Sequence, residues 1–405
     1  MLHVLGALPA RYSHHGYDVR AQGISRRGRP RVEAGPYLQS GQGHCGECEP
    51  VRARLRGGDG DQLFLPHATL AAHRNDTVGI QPLEEGAHAA SASSHQGARR
   101  APKDRAGRRG VGGEAMKYTY FPGCSLEAGS IGYNMSTLAV SDTLGIELKE
   151  LEDWNCCGAT AYTSITDIQA FAICARNLAL AEKEGRDIVA PCSACYTTMR
   201  KTNTYLRTYP EVKEKVGKAL AAAGLSYGGG IRVVHLAEIL TDGNGTMKAL
   251  GEKVKVKLAG LKVACYHGCQ IVRPGGGFDD PEFPTALDRL MTALGAEPVP
   301  FPMTARCCGG SMIVSRREIA LHHLYKILRC AADSGAQCIV TACPLCHLTL
   351  DAYQGMVNRK FGTHYRIPIM YFPQLIGIAL GFKPKELGIE KNIIGSKNLL
   401  GPYSK

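Results

Sequence analysis

The sequence predicts an α/β protein made of two similar Rossmann-like βα repeats, each a parallel sheet with its cysteine loops at the carboxyl ends of the strands. Two observations lead to this. From Lys117 onward, short β-rich runs alternate with apolar-periodic helical runs, the pattern of parallel strands joined by right-handed crossovers. The same order then recurs about 151 residues later, with its cysteines in register.

Taken in order, "KYTYF" is a short β-rich run ahead of Cys124, and an apolar-periodic helix follows through Ile131 to Leu144. "IELKELE" leads into the adjacent pair Cys156 and Cys157 of "WNCCGAT". A second helix is expected from about Asp167 to Glu184. "RDIVA" reads as a buried strand ending at Cys192, with a third helix opening at Cys195. The second repeat presents "LKVAC", a helix around Thr285 to Leu294, "AEPVPF", a helix around Arg317 to Ala332, and the strand "CIVTA".

The cysteines fall at matching places. "YFPGC", "NCCG" and "PCSAC" supply Cys124, Cys156, Cys157, Cys192 and Cys195. "CYHGC", "RCCGG" and "ACPLC" supply Cys269, Cys307, Cys308, Cys343 and Cys346. An offset of 151 relates Cys156 to Cys307, Cys192 to Cys343 and Cys195 to Cys346. Cys124 and Cys269 differ by 145, which places a six-residue insertion after Cys269, in "RPGGGFDDPEF". Ligands of open α/β sheets gather at the carboxyl ends of strands, so three loops per half are expected to converge on one edge. Thiols at helix starts gain N–H donors and the positive end of the dipole, both of which favour thiolate.

Composition narrows the chemistry. The chain has 405 residues, sixteen cysteines and a formal charge of +12. No run approaches the roughly 20 apolar residues a membrane span requires, so direct membrane insertion is not expected. Disulfide frameworks belong to short secreted chains, whereas this chain is long and shows no secretory signal. Metal-bound thiolates in a reducing, cytoplasmic setting are the better expectation. Residues 1–115 carry fifteen Arg and one Lys, eight of the fourteen His, and no helical or strand periodicity. They are expected to be a disordered or mis-assigned leader, since Gly112-Gly113-Glu114 can be encoded by a ribosome-binding sequence just ahead of Met116. "HCGEC" in this leader offers His44, Cys45 and Cys48, half a zinc site with no second half nearby. About five of the positive charges also fall there, leaving a mildly basic body with little support for nucleic-acid binding. The expected division is 1–115 leader, 116–260 first repeat, 261–380 second repeat and 381–405 C-terminal tail.

Structural zinc takes four ligands and a cubane iron–sulfur cluster takes four cysteines, yet each half offers five in register. Adjacent cysteines have little freedom to reach opposite corners of a cubane. By softness and number the set favours iron–sulfur over zinc, in a multi-iron cluster with an unusual ligand set.

Residues 117–380 resemble the B subunit of heterodisulfide reductase, of the cysteine-rich CCG domain family. The resemblance rests on the doubled pattern of cysteine, CCG and CxxC, with "WNCCGA", "CPLCHLTLD" and "YFPQLIGIALG". It implies two noncubane 4Fe-4S clusters, one held by Cys124, Cys156, Cys157, Cys192 and Cys195, the other by Cys269, Cys307, Cys308, Cys343 and Cys346. It further implies that opposed clusters split a disulfide such as CoB-S-S-CoM reductively into two thiols. Partners implied are the iron–sulfur C subunit of the same complex, together with its flavin A subunit, and ferredoxin, hydrogenase or a quinone-linked donor behind them. The chain lacks the cysteine run of ordinary relay clusters and a Gly-rich dinucleotide fingerprint, so its electrons are expected from such partners. The alternative is an electron-transferring subunit of a lactate- or glycolate-oxidising or quinone-linked complex; a zinc-stabilised binding scaffold is the reading of another class.

The remaining candidates take structural roles first. Cys174 and Cys330 lie in apolar helical runs, Cys338 lies in a strand, and Cys265 stands where the first repeat has Tyr120. His267 and His347 sit beside ligand positions as candidate proton donors, although hydrogen-bonded support is the commoner use of such residues. Arg273 is a candidate anion contact on a loop expected to be solvated, and Trp154 a cover against water.

Overall fold

A computed structural model describes residues 116–159, 166–241, 245–273 and 277–404. The leader, with His44, Cys45 and Cys48, lies outside the described residues. In the first repeat the elements are β1 (Met116–Tyr120), α1 (Gly123–Glu127), α2 (Ile131–Thr143), β2 (Ile146–Glu150), α3 (Asp167–Glu184), β3 (Ile188–Val189), α4 (Ser193–Thr208), α5 (Pro210–Ala221), β4 (Val233–Val234), α6 (Leu236–Thr241) and α7 (Thr246–Lys253). The second has β5 (Lys262–Tyr266), α8 (Ala286–Ala293), β6 (Glu297–Pro298), α9 (Arg317–Asp333), β7 (Cys338–Thr341), α10 (Pro344–Ala352), α11 (Gln354–Phe361), β8 (Ile369–Tyr371) and α12 (Phe372–Ala379). Two short 3₁₀ turns and α13 (Lys397–Leu400) follow.

The strands form two four-stranded sheets, ordered β2-β1-β3-β4 and β6-β5-β7-β8, with every neighbouring pair parallel. The two orders are the same once each repeat is numbered from its own first strand, so the sequence repeat is a repeat of topology. In both sheets the first strand is central and receives the strand that ends at the CxxC, through Tyr120↔Val189 and Tyr266↔Thr341. That pairing brings the first cysteine and the CxxC of each half to one sheet edge.

Several elements differ from their sequence reading. The helix expected to open at Cys195 begins at Ser193 and leaves Cys192 as its N-cap. β6 is only Glu297–Pro298 because proline has no N–H to extend a ladder, which suits its edge position. A fourth strand closes each sheet, β4 with two residues and β8 with three. Neither is long enough to display alternation.

The largest group of buried side chains draws on both repeats: Tyr133, Val189 and Val234 from the first, Val263, Val340, Tyr371 and Phe372 from the second. Two smaller groups lie beneath α3 and α5, and beneath α9 and α11. Residues beyond 380 join the packing through buried Leu387, Ile389 and Leu400. The Asp351 carboxylate accepts the N–H groups of Ile393 and Ile394 at 2.6 and 2.9 Å. Gly132 of α2 meets Gly388 backbone to backbone: a β-carbon on Gly132 would stand 2.7 Å from the Gly388 carbonyl oxygen. Among the described residues no helix is long and apolar enough to cross a membrane.

Candidate metal centres

Each CxxC starts a helix. Cys192 and Cys343 are the N-caps of α4 and α10, in extended backbone, and Cys195 and Cys346 lie in the first turn. Both pairs are buried against the sheet edge. The Cys346 thiol holds Cys343 below the usual thiol range, assisted by the N–H groups of Cys346 and Leu345 and by the Ser193 hydroxyl. The unpaired amides of a helix N-terminus thus stabilise sulfur anions at this place.

The loop that carries the first cysteine of each set packs closely on its CxxC because the residue before that cysteine is glycine. Gly123 and Gly268 take left-handed φ of +67° and +72°. β-carbons there would lie 2.9 Å from Cys195 Sγ and 3.2 Å from Cys346 Sγ. Any other residue would be strained and would push the loop off the sulfur.

The adjacent cysteines sit on loops pinned by the neighbouring helix. Asn177 of α3 is buried; its Oδ1 accepts the Asn155 N–H at 2.9 Å and its Nδ2 donates to the Asn155 carbonyl at 2.8 Å. In the second half the ring Nδ1 of His323, on α9, donates to the Cys307 carbonyl at 2.9 Å. The chain then turns so that the N–H groups of Gly309 and Gly310 donate to Cys307 Sγ and Cys308 Sγ, both at 3.3 Å. In the first half the amides of Gly158 and Ala159 approach Cys156 and Cys157 in the same way.

All ten predicted thiols are thereby drawn into two networks. Hydrogen bonds link Cys156 to Cys157, Cys157 to Cys195 and Cys195 to Cys192, with Cys124 near enough to Cys156 to act on its charge. In the second half they link Cys269 to Cys307, Cys307 to Cys308, Cys308 to Cys346 and Cys346 to Cys343. Each of these thiol–thiol links stays within one half, while the Ser193 hydroxyl that reaches Cys343 crosses between them. Neighbouring thiols and the turn amides hold Cys157 and Cys307 well below the usual thiol range, and Cys156 and Cys269 rise in return. Cys124 and Cys156 are exposed, and Cys269 and Cys307 half-buried, so each network has a wet end and a dry end. Among the described residues, no three His, Cys, Asp or Glu side chains close around a single-ion position. The thiols lie in open chains. Five soft donors backed by amide N–H groups fit a thiolate-held group of several metal atoms.

The other candidates are placed as follows. His267 is fully buried; its Nε2 accepts the Leu287 N–H at 3.0 Å and its Nδ1 faces Thr304 Oγ1 at 2.8 Å. Both ring nitrogens are engaged, and burial lowers its pKa to about 4. His347 approaches the Ile369 carbonyl through Nε2 at 3.0 Å and stacks on Tyr371 with centroids 4.0 Å apart. Arg273 is tied to its own loop, donating to the Pro281 carbonyl and pairing with Glu282, both at 3.1 Å. Trp154 meets Phe121 edge-on at 5.3 Å and donates to Glu150. Cys174, Cys265 and Cys338 are buried, while Cys330 is half-buried on α9. Sequence reasoning missed Tyr133, Ser193 and His235, all fully buried beside the CxxC loops. The one available signal was that "VVHLAE" repeats the strand-to-helix step of "IMYFPQ".

Comparison with known proteins agrees with this geometry. The family described as a cysteine-rich domain, CCG, matches residues 118–200 and 263–351, one match per repeat. Over 287 residues the chain is 36% identical to the B subunit of the ferredoxin/F(420)H(2)-dependent CoB-CoM heterodisulfide reductase of Methanosarcina acetivorans, spanning 69% of this chain and 94% of that protein. It is 35% identical over 285 residues to the 8-methylmenaquinol:fumarate reductase membrane anchor subunit of Wolinella succinogenes, spanning 70% and 99%. The crystal structure of a hypothetical protein from Helicobacter pylori superposes with a TM-score of 0.57 and 15% identity, over 70% of this chain and 53%, about half, of that one, which is a likeness of fold.

Proposed function

Because the chain belongs to the cysteine-rich CCG domain family that includes the B subunit of heterodisulfide reductase, we propose that it is the disulfide-cleaving iron–sulfur subunit of a cytoplasmic reductase complex. An oxidoreductase role in a multi-subunit complex is the coarser statement, supported by relatives matched over nearly their whole length. The observation that carries the finer reading is the doubled five-thiol network. Cys124, Cys156, Cys157, Cys192 and Cys195 would hold one noncubane 4Fe-4S cluster, and Cys269, Cys307, Cys308, Cys343 and Cys346 the other. When bound, such clusters supply single-electron steps and iron positions able to take a sulfur atom.

The chain's own residues prepare for that chemistry. The start of α10 at Cys343 and the turn amides at Gly309 and Gly310 present N–H donors to the cysteine sulfurs without a counter-cation. The buried CxxC ends exclude water, while Cys124 and Cys156 face the solvent from which a substrate arrives. Reductive cleavage consumes one disulfide, two electrons and two protons and gives two thiols. The electrons would come from partners equivalent to the family's iron–sulfur and flavin subunits, with ferredoxin, hydrogenase or a quinone-linked donor behind them. His267 and His347 supply protons poorly in this reading, since burial keeps both rings neutral against the opposing pull of their carbonyl partners.

A second reading is favoured by the fumarate reductase subunit of Wolinella succinogenes, whose name places it in a quinol-linked enzyme. There the chain would pass electrons without cleaving a disulfide. One experiment separates the two. Anaerobically purified protein with its iron and sulfide measured is given reduced benzyl viologen and CoB-S-S-CoM, or a panel of other low-molecular-weight disulfides. Two thiols released per two viologens oxidised supports the first reading; bound iron with no thiol release supports the second. Zinc in place of iron would overturn both.

A further inference from the structure

Three buried side chains of the first repeat converge on the carbonyl groups immediately before the two CxxC motifs. The Tyr133 hydroxyl lies 3.0 Å from the Pro191 oxygen and 3.1 Å from the Ala342 oxygen, so its single proton is shared between two carbonyls 151 positions apart. His235 accepts the Ala237 N–H on Nδ1 at 3.1 Å, which puts its proton on Nε2, and Nε2 donates to the Pro191 oxygen at 2.7 Å. The same ring also reaches the Ala342 carbonyl. Ser193 Oγ, beside Cys192, donates to the Ala342 oxygen at 3.1 Å across the repeat boundary. Pro191 precedes Cys192 and Ala342 precedes Cys343.

We propose that Tyr133, with His235 and Ser193, is a positioning device shared by both metal centres, fixing the distance and orientation between the two CxxC loops. The inference rests on the reading that each half holds a cluster and adds what couples them. None of the three offers a thiol, yet each restrains a residue next to a ligand. A carbonyl buried with its donor removed is costly, so the loops are held to the arrangement that satisfies all of them. The donors all come from one repeat. The position equivalent to Ser193 is Pro344, which has no side-chain donor, and Phe278, nine residues after Cys269 as Tyr133 is after Cys124, lacks the hydroxyl.

Tyr133→Phe tests this, because it keeps the ring and removes only the shared proton. On the full chain, hydrogen exchange of segments 188–196 and 339–347 should both quicken by about fivefold, the local-opening change expected from one net hydrogen bond. After anaerobic loading with iron and sulfide, iron content should be unchanged and the paramagnetic resonance signals of both centres should shift. A purely local role would move one segment and one signal. Faster exchange confined to 188–196, or in neither segment, overturns the inference. Should Tyr133→Phe fold poorly, Ser193→Ala serves instead: exchange in 339–347 must rise although the substitution is in the other repeat, and an unchanged rate overturns the inference. Protein that takes up no iron would count against the cluster reading, while hydrogen exchange, which needs no iron, still decides this one.

Discussion

Tyr133 and Tyr371, one from each repeat, stack with ring centroids 4.3 Å apart and planes 11° from parallel. A matching pair exists in the opposite sense. Val189 pairs with Val234 and Val340 with Met370, so His235 holds in the first repeat the place of Tyr371 in the second. Phe278 of the second repeat lies over His235, 6.2 Å away and 13° from parallel. At the end of each fourth strand there is therefore a ring covered by the other repeat.

The adjacent cysteines give the sharpest expectation. In a four-cysteine cubane one member of each pair would be spare, and its replacement by serine would be silent. With five ligands per centre, Cys156→Ser, Cys157→Ser, Cys307→Ser and Cys308→Ser should each alter the electronic and resonance spectra of anaerobic protein. Serine keeps the size and loses the soft donor, so packing damage should be minor. One silent substitution in either pair would defeat the five-ligand arrangement for that half.

In the proposed centres the ligands would segregate by repeat, since every thiol–thiol link stays within one half. Cys192→Ser should therefore abolish the spectrum of the first centre and leave roughly half the iron bound at the second. Equal loss of both, measured as iron per chain, would show that the centres form only together.

Gly123→Ala should be more harmful than its size suggests. The left-handed backbone costs an alanine about 1 kcal/mol, and the new methyl would stand 2.9 Å from Cys195 Sγ. A lower denaturation midpoint with loss of iron from the first centre is expected. Gly268→Ala, with 3.2 Å to Cys346 Sγ, should do the same to the second centre more mildly. Full iron retention in Gly123→Ala would show that the loop has room to move.

Acid should weaken the fold through His235. Burial lowers its pKa from 6.5 to about 4, against the opposing effect of its carbonyl partners. The folded state resists a proton that the unfolded chain accepts, so this stability is complete above 6.5 and is lost as pH falls toward 4. The loss approaches about 3 kcal/mol for a fully buried ring. Burial moves His267 and His347 in the same direction. Denaturant titrations of iron-free protein between pH 7 and 4 should show a shallower decline in His235→Gln than in the parent chain. Equal slopes would mean that His235 titrates normally.

Much of this fold is legible in the linear sequence because cysteine spacing and helix periodicity are both written locally. α3 runs from Asp167 to Glu184, where its apolar spacing puts it, and cysteine offsets alone pair the two halves. What is hidden is hidden for a physical reason. β4 and β8 are too short to show alternation, and so their terminal rings, His235 and Tyr371, carry no local mark. Tyr133 reads as one more aromatic on a helix, because its hydroxyl partners lie 58 and 209 positions away. The start of α4 moves two residues ahead of Cys195 because Cys192 takes the N-cap position in extended backbone, without the side-chain bond that makes serine or asparagine a recognisable cap.

The contact between Gly132 and Gly388 bears on the order in which the protein can be made. The two positions are 256 residues apart, and each lacks a β-carbon where the other's backbone passes. During synthesis α2 leaves the ribosome early, yet the surface that Gly388 covers stays bare until nearly the whole chain has emerged. The first sheet can form on the nascent chain; its outer packing waits for the last helical turns. Closure of the late segment over α2, and with it the final packing of that helix, then belongs after release.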